Sequence, residues 1–258
     1  MSKERSPRAS WPNDIPAIVL AAGKGSRMKS RQPKTALHVG GRPMVRRVID
    51  ALREAGVTRV VTVVGHRADD VRASVGEDVE YVVQEEQLGT GHAAQCAAKE
   101  FAGFSGTVLI AHGDIPLLTS EDIAGLVEHH LETGAAATLL TALFEEPGSL
   151  GRILRGPDGR VLAIVEARDA TPEQLKIKEV NVAVYGFAAP EVFRELAHID
   201  NHNAQRQYYL TDVIGRLVAR GRRVEAVPLR KAHAGLGVDT PDDLARAQKN
   251  LRTDQAYS

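Results

Sequence analysis

Leu20-Ala21-Ala22-Gly23-Lys24-Gly25-Ser26-Arg27-Met28, closed by Pro33-Lys34, reads as a strand that breaks into a glycine-rich, basic loop. Ile18, Val19 and Leu20 form a short apolar run, after which Gly23 and Gly25 let backbone N–H groups turn toward an anion with no Cβ in the way. Arg27 and Lys34 add the charge that backbone dipoles lack. Strand, glycine turn and cations in that order predict a triphosphate site at the C-terminal end of the first strand of an α/β sheet, where open sheets place their ligands. The loop lacks the G-x-x-x-x-G-K-S/T of P-loops and has no third glycine of a dinucleotide fingerprint, which argues against hydride transfer. A plain strand-to-helix connection is the competing reading.

Outward from this loop, apolar β-branched runs recur at 17–20, 60–64, 79–83 and 107–110, separated by amphipathic stretches. That alternation predicts a mostly parallel central sheet with helices on both faces. Helices are expected over 43–55, beginning at Pro43 and ending at Gly56, over 90–101, and over 122–131 after the cap Thr119-Ser120-Glu121-Asp122. The second half reads as a smaller mixed-sheet subregion. It has strands at 136–143, 152–154, 160–165, 180–187 and 224–227, a hairpin turn at Gly156-Pro157-Asp158-Gly159, and helices near 190–196 and 209–219. Thr240-Pro241 opens a terminal helix. Residues 1–14 are expected to be a disordered leader, 15–239 the working domain, and 240–258 a helix whose last residues, 255–258, fray.

Lys+Arg and Asp+Glu both number 33 among 258 residues, so bulk charge favours neither a nucleic acid nor a membrane. No apolar run approaches the ~20 residues of a membrane span, and the N-terminus has no secretory core, which points to the cytoplasm. The single Cys96 excludes an internal disulfide and reads as a buried small apolar residue. His129-His130 reads as part of a solvated helix face rather than a metal site, because adjacent side chains on a helix diverge by about 100°.

Two further stretches carry chemistry. Val108-Leu109-Ile110-Ala111-His112-Gly113-Asp114-Ile115-Pro116 ends a buried strand in a carboxylate, placing Asp114 to hold a metal at the edge that carries the glycine loop. A turn-capping aspartate is its alternative role. Gln84-Glu85-Glu86-Gln87-Leu88-Gly89-Thr90-Gly91-His92-Ala93 follows the third strand, and its glycines permit close approach of a ligand. Gln84 offers a donor and an acceptor, so it could match a pyrimidine edge; because an amide can flip, cytosine is not excluded.

These segments, with L-G-R-I, V-E-A-R-D-A and N-A-Q-R-Q-Y-Y-L-T-D, resemble the uridylyltransferase domain of bacterial N-acetylglucosamine-1-phosphate uridylyltransferases from about Ile18 to Asp239. The resemblance implies a Rossmann-like nucleotidyltransferase fold and a reaction in which UTP and N-acetylglucosamine 1-phosphate give UDP-N-acetylglucosamine and pyrophosphate. It implies that Leu20, Ala21, Ala22, Gly23, Gln84, Gly89, Thr90, His112 and Gly113 bind the nucleotide. Arg27, Lys34 and Asp114 would be catalytic, and Asp114 and Asp239 would hold Mg²⁺. Gly151, Glu166, Asn181, Tyr209 and Thr211 would bind the sugar.

The chain departs from that family at several places. Asp239 stands where the family has asparagine, Val182-Ala183 follow Asn181 where it has T/S-G, and His112 replaces a tyrosine. The hexapeptide repeats of the β-helix acetyltransferase domain do not occur, so the chain is expected to be monofunctional or truncated, and a monomer by default. Another sugar-phosphate nucleotidyltransferase, using glucose 1-phosphate with UTP or dTTP, and a non-catalytic nucleotide-sugar sensor on the same fold are the alternatives.

Overall fold

A computed structural model describes residue 11 and residues 13–256. Most of the leader expected over 1–14, and residues 257–258, therefore lie outside the described residues. The first half runs β1 (Ala17–Leu20), β2 (His38–Val39), β3 (Arg42–Pro43), α1 (Met44–Ala55), β4 (Val60–Val64), α2 (Ala68–Val75) and β5 (Glu80–Val83). It continues with α3 (Thr90–Cys96), β6 (Thr107–His112), α4 (Ser120–Thr133) and β7 (Ala137–Leu143). The second half comprises β8 (Arg152–Arg155), β9 (Val161–Val165), α5 (Pro172–Leu175), β10 (Glu179–Ala188), α6 (Ala189–Leu196), α7 (Asp212–Ala219), β11 (Val224–Pro228) and α8 (Pro241–Ala256).

The central sheet has the order β11-β7-β10-β6-β1-β4-β5. Only β10 opposes its neighbours, pairing antiparallel with β6 and β7 while every other pair is parallel. The β8–β9 hairpin joins β10 through Arg152 and Val180 and supplies the smaller antiparallel subregion. Leu20 is in register with Val63 and with His112, so β1, β4 and β6 finish together at one edge. Among the described residues no helix is long and apolar enough to cross a membrane.

Alternation along β1 sends Ala17 and Val19 to one face and Ile18 and Leu20 to the other. The first face packs under α1, α2 and α4, the second under α3, α6 and α7. Val45, Val48, Ile49 and Leu52 of α1 are all fully buried, each contributing about 1.5–3 kcal/mol of apolar transfer. Gly56 ends α1 at φ 119°, a conformation that a side chain would strain. A third cluster of Met28, Val39, Met44, Leu117, Val238, Ala247 and Leu251 fastens α8 against β2 and the start of α1.

Several local expectations change. Pro43 precedes α1 instead of opening it, because it pairs with His38 and keeps an extended ψ of 138°. The helix expected over 90–101 stops at Cys96 and resumes as a 3₁₀ turn at Ala98–Phe101. The one expected from 209 begins at Asp212, since Leu210 N donates to Thr90 Oγ1. Gln255 and Ala256 belong to α8 and do not fray. Cys96 is half-buried at the end of α3, not a core residue. His130 is not on a solvated face: it is 3% exposed, with Nδ1 3.0 Å from Thr138 Oγ1. The side chains of α2 that reach the core are Val71 and Val75, too few for the sequence pattern to announce the helix.

Candidate active site

At the carboxyl edge of the sheet the glycine loop folds back on itself. Gly25 takes φ +58°, where a Cβ would lie 2.5 Å from Cβ of Lys34, so the left-handed glycine is what lets the 33–35 segment close over the loop. The loop leads into a 3₁₀ turn at Ser26–Met28, not a helix N-terminus. Lys34 Nζ then sits between two carboxylates, 2.5 Å from Asp114 Oδ2 and 2.6 Å from Asp239 Oδ1. Arg27 contacts the second from outside, its guanidinium 2.9 Å from Asp239 Oδ2.

Asp114 arrives from the end of β6, with Gly113 N donating to Leu20 O. Asp239 is held beside it because Val238 N donates to Asp114 O. Thr240, not Asp239, caps α8: its Oγ1 accepts from Asp243 N while its own N–H donates to Asp243 Oδ2. That reciprocal box leaves the Asp239 carboxylate for the cations.

Burial works against charge on Lys34 and on Asp114, yet their mutual attraction prevails, so the Lys34 pKa is raised and the Asp114 pKa lowered from their ordinary values. Burial pushes the His112 pKa down. Asp114 and Asp239 present hard oxygens to one shared positive group, the donor set that suits a divalent cation. Among the described residues no cluster of three or more His, Cys, Asp or Glu side chains is arranged to hold a metal, so substrate and water oxygens would have to complete the coordination.

Beside this cluster lies Gln84, 2% exposed at the end of β5. Its Nε2 is 3.1 Å from Gly89 O and 3.0 Å from His92 Nδ1. The glycines that follow also meet protein closely. A Cβ on Gly89 would come 2.5 Å from Tyr208 O, and one on Gly91 would come 3.0 Å from the same atom, so both make room for the 207–210 segment. That segment is stitched on by Gly91 N to Tyr208 O and Tyr208 N to Leu88 O.

The residues expected to meet a sugar converge on β8, β9, β10 and the start of α7. Asn181 N donates to Gly151 O, and Thr211 Oγ1 donates to Glu166 Oε1 at 2.9 Å. Burial raises the Glu166 pKa, partly offset by that hydroxyl. Asn181 Nδ2 donates to Tyr185 Oη at 2.7 Å, and its Oδ1 accepts from Ala183 N. Tyr209 stands one step away, donating to Asp169 Oδ2 and accepting from Gln205. Ala183 adopts φ +59°, the left-handed conformation that the family's glycine would take without strain.

Three participants escaped the sequence reading. Tyr185 accepts from Asn181, Asp169 accepts from Tyr209, and His92 lies against the Gln84 amide. Asp169 and His92 lay inside quoted motifs, whereas nothing in the pattern around Tyr185 distinguishes it from a core aromatic.

Comparison with known proteins bears on the chain as a whole. The chain is 46% identical over 241 residues to the bifunctional protein GlmU of Syntrophotalea carbinolica, covering 93% of this chain and 52% of that protein. It is 45% identical over 236 residues to the bifunctional protein GlmU of Exiguobacterium sibiricum, covering 92% and 53%. It thus spans about half the length of these relatives. The solved structure of a Bacillus anthracis chain described as a glucose-1-phosphate thymidylyltransferase, in complex with a sucrose, shares the fold with a TM-score of 0.75 at 22% identity, over 92% of this chain and 95% of that one. Residues 17–215, from the first residue of β1 into α7, match the MobA-like NTP transferase domain, and the chain belongs to that family.

Proposed function

We propose that this chain transfers a uridylyl group from UTP to N-acetylglucosamine 1-phosphate, releasing pyrophosphate. One observation carries the reading: Arg27, Lys34, Asp114 and Asp239, from three distant stretches of chain, meet at the carboxyl edge between a base-side amide and a buried set of sugar-facing groups. Opposed charges packed together with no covalent nucleophile suit phosphoryl chemistry, which asks a protein mainly for positioning and charge stabilisation.

In this mechanism the sugar phosphate oxygen attacks the α-phosphorus in line, and pyrophosphate leaves on the far side. Arg27 and Lys34 take up charge on the leaving group. Lys34, pinned between carboxylates, exchanges one set of oxygens for another as the triphosphate enters. Asp114 and Asp239 are the residues that would hold Mg²⁺, which supplies charge neutralisation and orientation of phosphate oxygens. Glu166, Asn181 and Thr211 orient the sugar with oxygens and an amide that match hydroxyl and acetamido groups. The single cysteine suits a reducing cytoplasm.

The test is pyrophosphate release across a matrix of nucleoside triphosphates and sugar 1-phosphates, with and without Mg²⁺. UTP with N-acetylglucosamine 1-phosphate should lead, and chelation should abolish turnover. Faster turnover of glucose 1-phosphate with dTTP would replace this specificity with the thymidylyl alternative. Calorimetric UTP binding without pyrophosphate from any pair would make the chain a sensor.

A further inference from the structure

The hydrogen bonds around Gln84 determine what this residue can offer a base. Gly89 O is a carbonyl and can only accept, so the side-chain atom 3.1 Å from it must be the amide nitrogen. His92 Nδ1 lies 3.0 Å from the same nitrogen, so it too must accept, which leaves the imidazole proton on Nε2. Nε2 in turn lies 4.0 Å from Cys96 Sγ, within reach of a weak N–H···S contact. Both amide protons of Gln84 are therefore engaged inside the protein. Its Oε1 has no hydrogen-bond partner among the described residues and, although Gln84 is only 2% exposed, is not among the fully buried unpartnered atoms, so its acceptor lone pairs are uncommitted within the protein.

We infer that His92 is a positioning residue for base selection: by sequestering the second amide proton it makes Gln84 an acceptor only, so that the pocket reads an N–H on the pyrimidine edge. This rests on the proposed uridylyl transfer, in which uracil N3–H is the donor that Oε1 receives. Cytosine presents a bare acceptor at N3, and an acceptor-only Gln84 repels it there. Sequence alone left Gln84 able to serve either base. The flexible amide becomes selective because two acceptors, Gly89 O and His92 Nδ1, hold its nitrogen. A site whose polar groups are committed in this way discriminates through the unpaired group left by the wrong ligand.

The experiment compares the intact protein with His92→Phe and His92→Asn, measuring kcat/KM for UTP and for CTP with N-acetylglucosamine 1-phosphate, and calorimetric Kd for both nucleotides. His92→Phe frees one amide proton, and the UTP-over-CTP ratio should fall about tenfold, chiefly through a gain on CTP. His92→Asn places a carbonyl oxygen near the position of Nδ1 and should restore the ratio to within threefold of the wild type. Parallel loss of both nucleotides in His92→Phe with an unchanged ratio would reduce His92 to a packing role and overturn the inference. So would a ratio that collapses equally in His92→Asn. A wild-type protein that transfers from neither nucleotide removes the proposed function itself, and this role with it.

Discussion

The two ends of the candidate site handle polarity in opposite ways. At the proposed phosphate end, Arg27, Lys34, Asp114 and Asp239 are charged groups that neutralise one another. At the proposed sugar end, Glu166–Thr211, Asn181–Tyr185 and Tyr209–Asp169 are side-chain hydrogen bonds that hold their groups in place, the Asn181–Tyr185 pair fully buried. Charge that must reorganise serves a step in which charge moves. A fixed hydrogen-bond network serves recognition, where the gain lies in not having to reorganise.

The largest effect should come from the charged end. Asp114→Asn is expected to lower kcat on the order of 10³-fold, about 4 kcal/mol, while the KM for sugar phosphate changes less than threefold. Steady-state kinetics with each substrate varied would show this, and a matching rise in sugar KM would mean that the two ends are not separable. Lys34→Met should cost about 2–3 kcal/mol of stability in denaturant unfolding, since it leaves the Asp114 carboxylate without its ion-pair partner and Asp239 with Arg27 alone. Millimolar Mn²⁺ should recover much of that loss. No recovery would argue that the carboxylate pair does not accept a divalent cation.

Glu166→Gln should raise the sugar phosphate KM about tenfold, roughly 1.4 kcal/mol, with UTP binding unchanged by calorimetry. An equal loss of UTP affinity would tie the sugar network to the charged end. The smallest effect concerns Asp212, whose pKa is pushed up to about 6 by burial and by the nearby Asp200, Glu166 and Asp169 carboxylates. A raised carboxylate pKa means that the folded state holds its proton longer than the unfolded one, so stability falls as pH climbs from about 4 to about 6. Asp212→Asn should therefore be about 1 kcal/mol more stable than the wild type at pH 7.5, after discounting for its partial exposure, and equal to it at pH 4. Thermal melts at both pH values would check the difference.

The two ends were also unequally legible. The glycine loop, the strand-terminal Asp114 and the cap at Thr240 are encoded within a few residues each, because strands, left-handed turns and helix caps are local events. The sheet followed from alternating apolar runs, with β4 placed to the residue. The small β2–β3 hairpin and α2 carry too few buried residues to stand out. Gly89 and Gly91 could not announce from sequence that they also make way for Tyr208, since what a missing Cβ accommodates depends on a segment over 100 residues away.

By itself the sequence determined the α/β class, the sheet edge at which the candidate site was expected, and the residue types available there, since each follows from local pattern and side-chain chemistry. Only the tertiary structure decided their partners. It set Lys34 between Asp114 and Asp239, closed Thr211 onto Glu166, and spent both amide protons of Gln84 within the protein. A hydrogen bond or ion pair between distant segments is a property of distance and direction, which residue order specifies only once the sheet has brought those segments together.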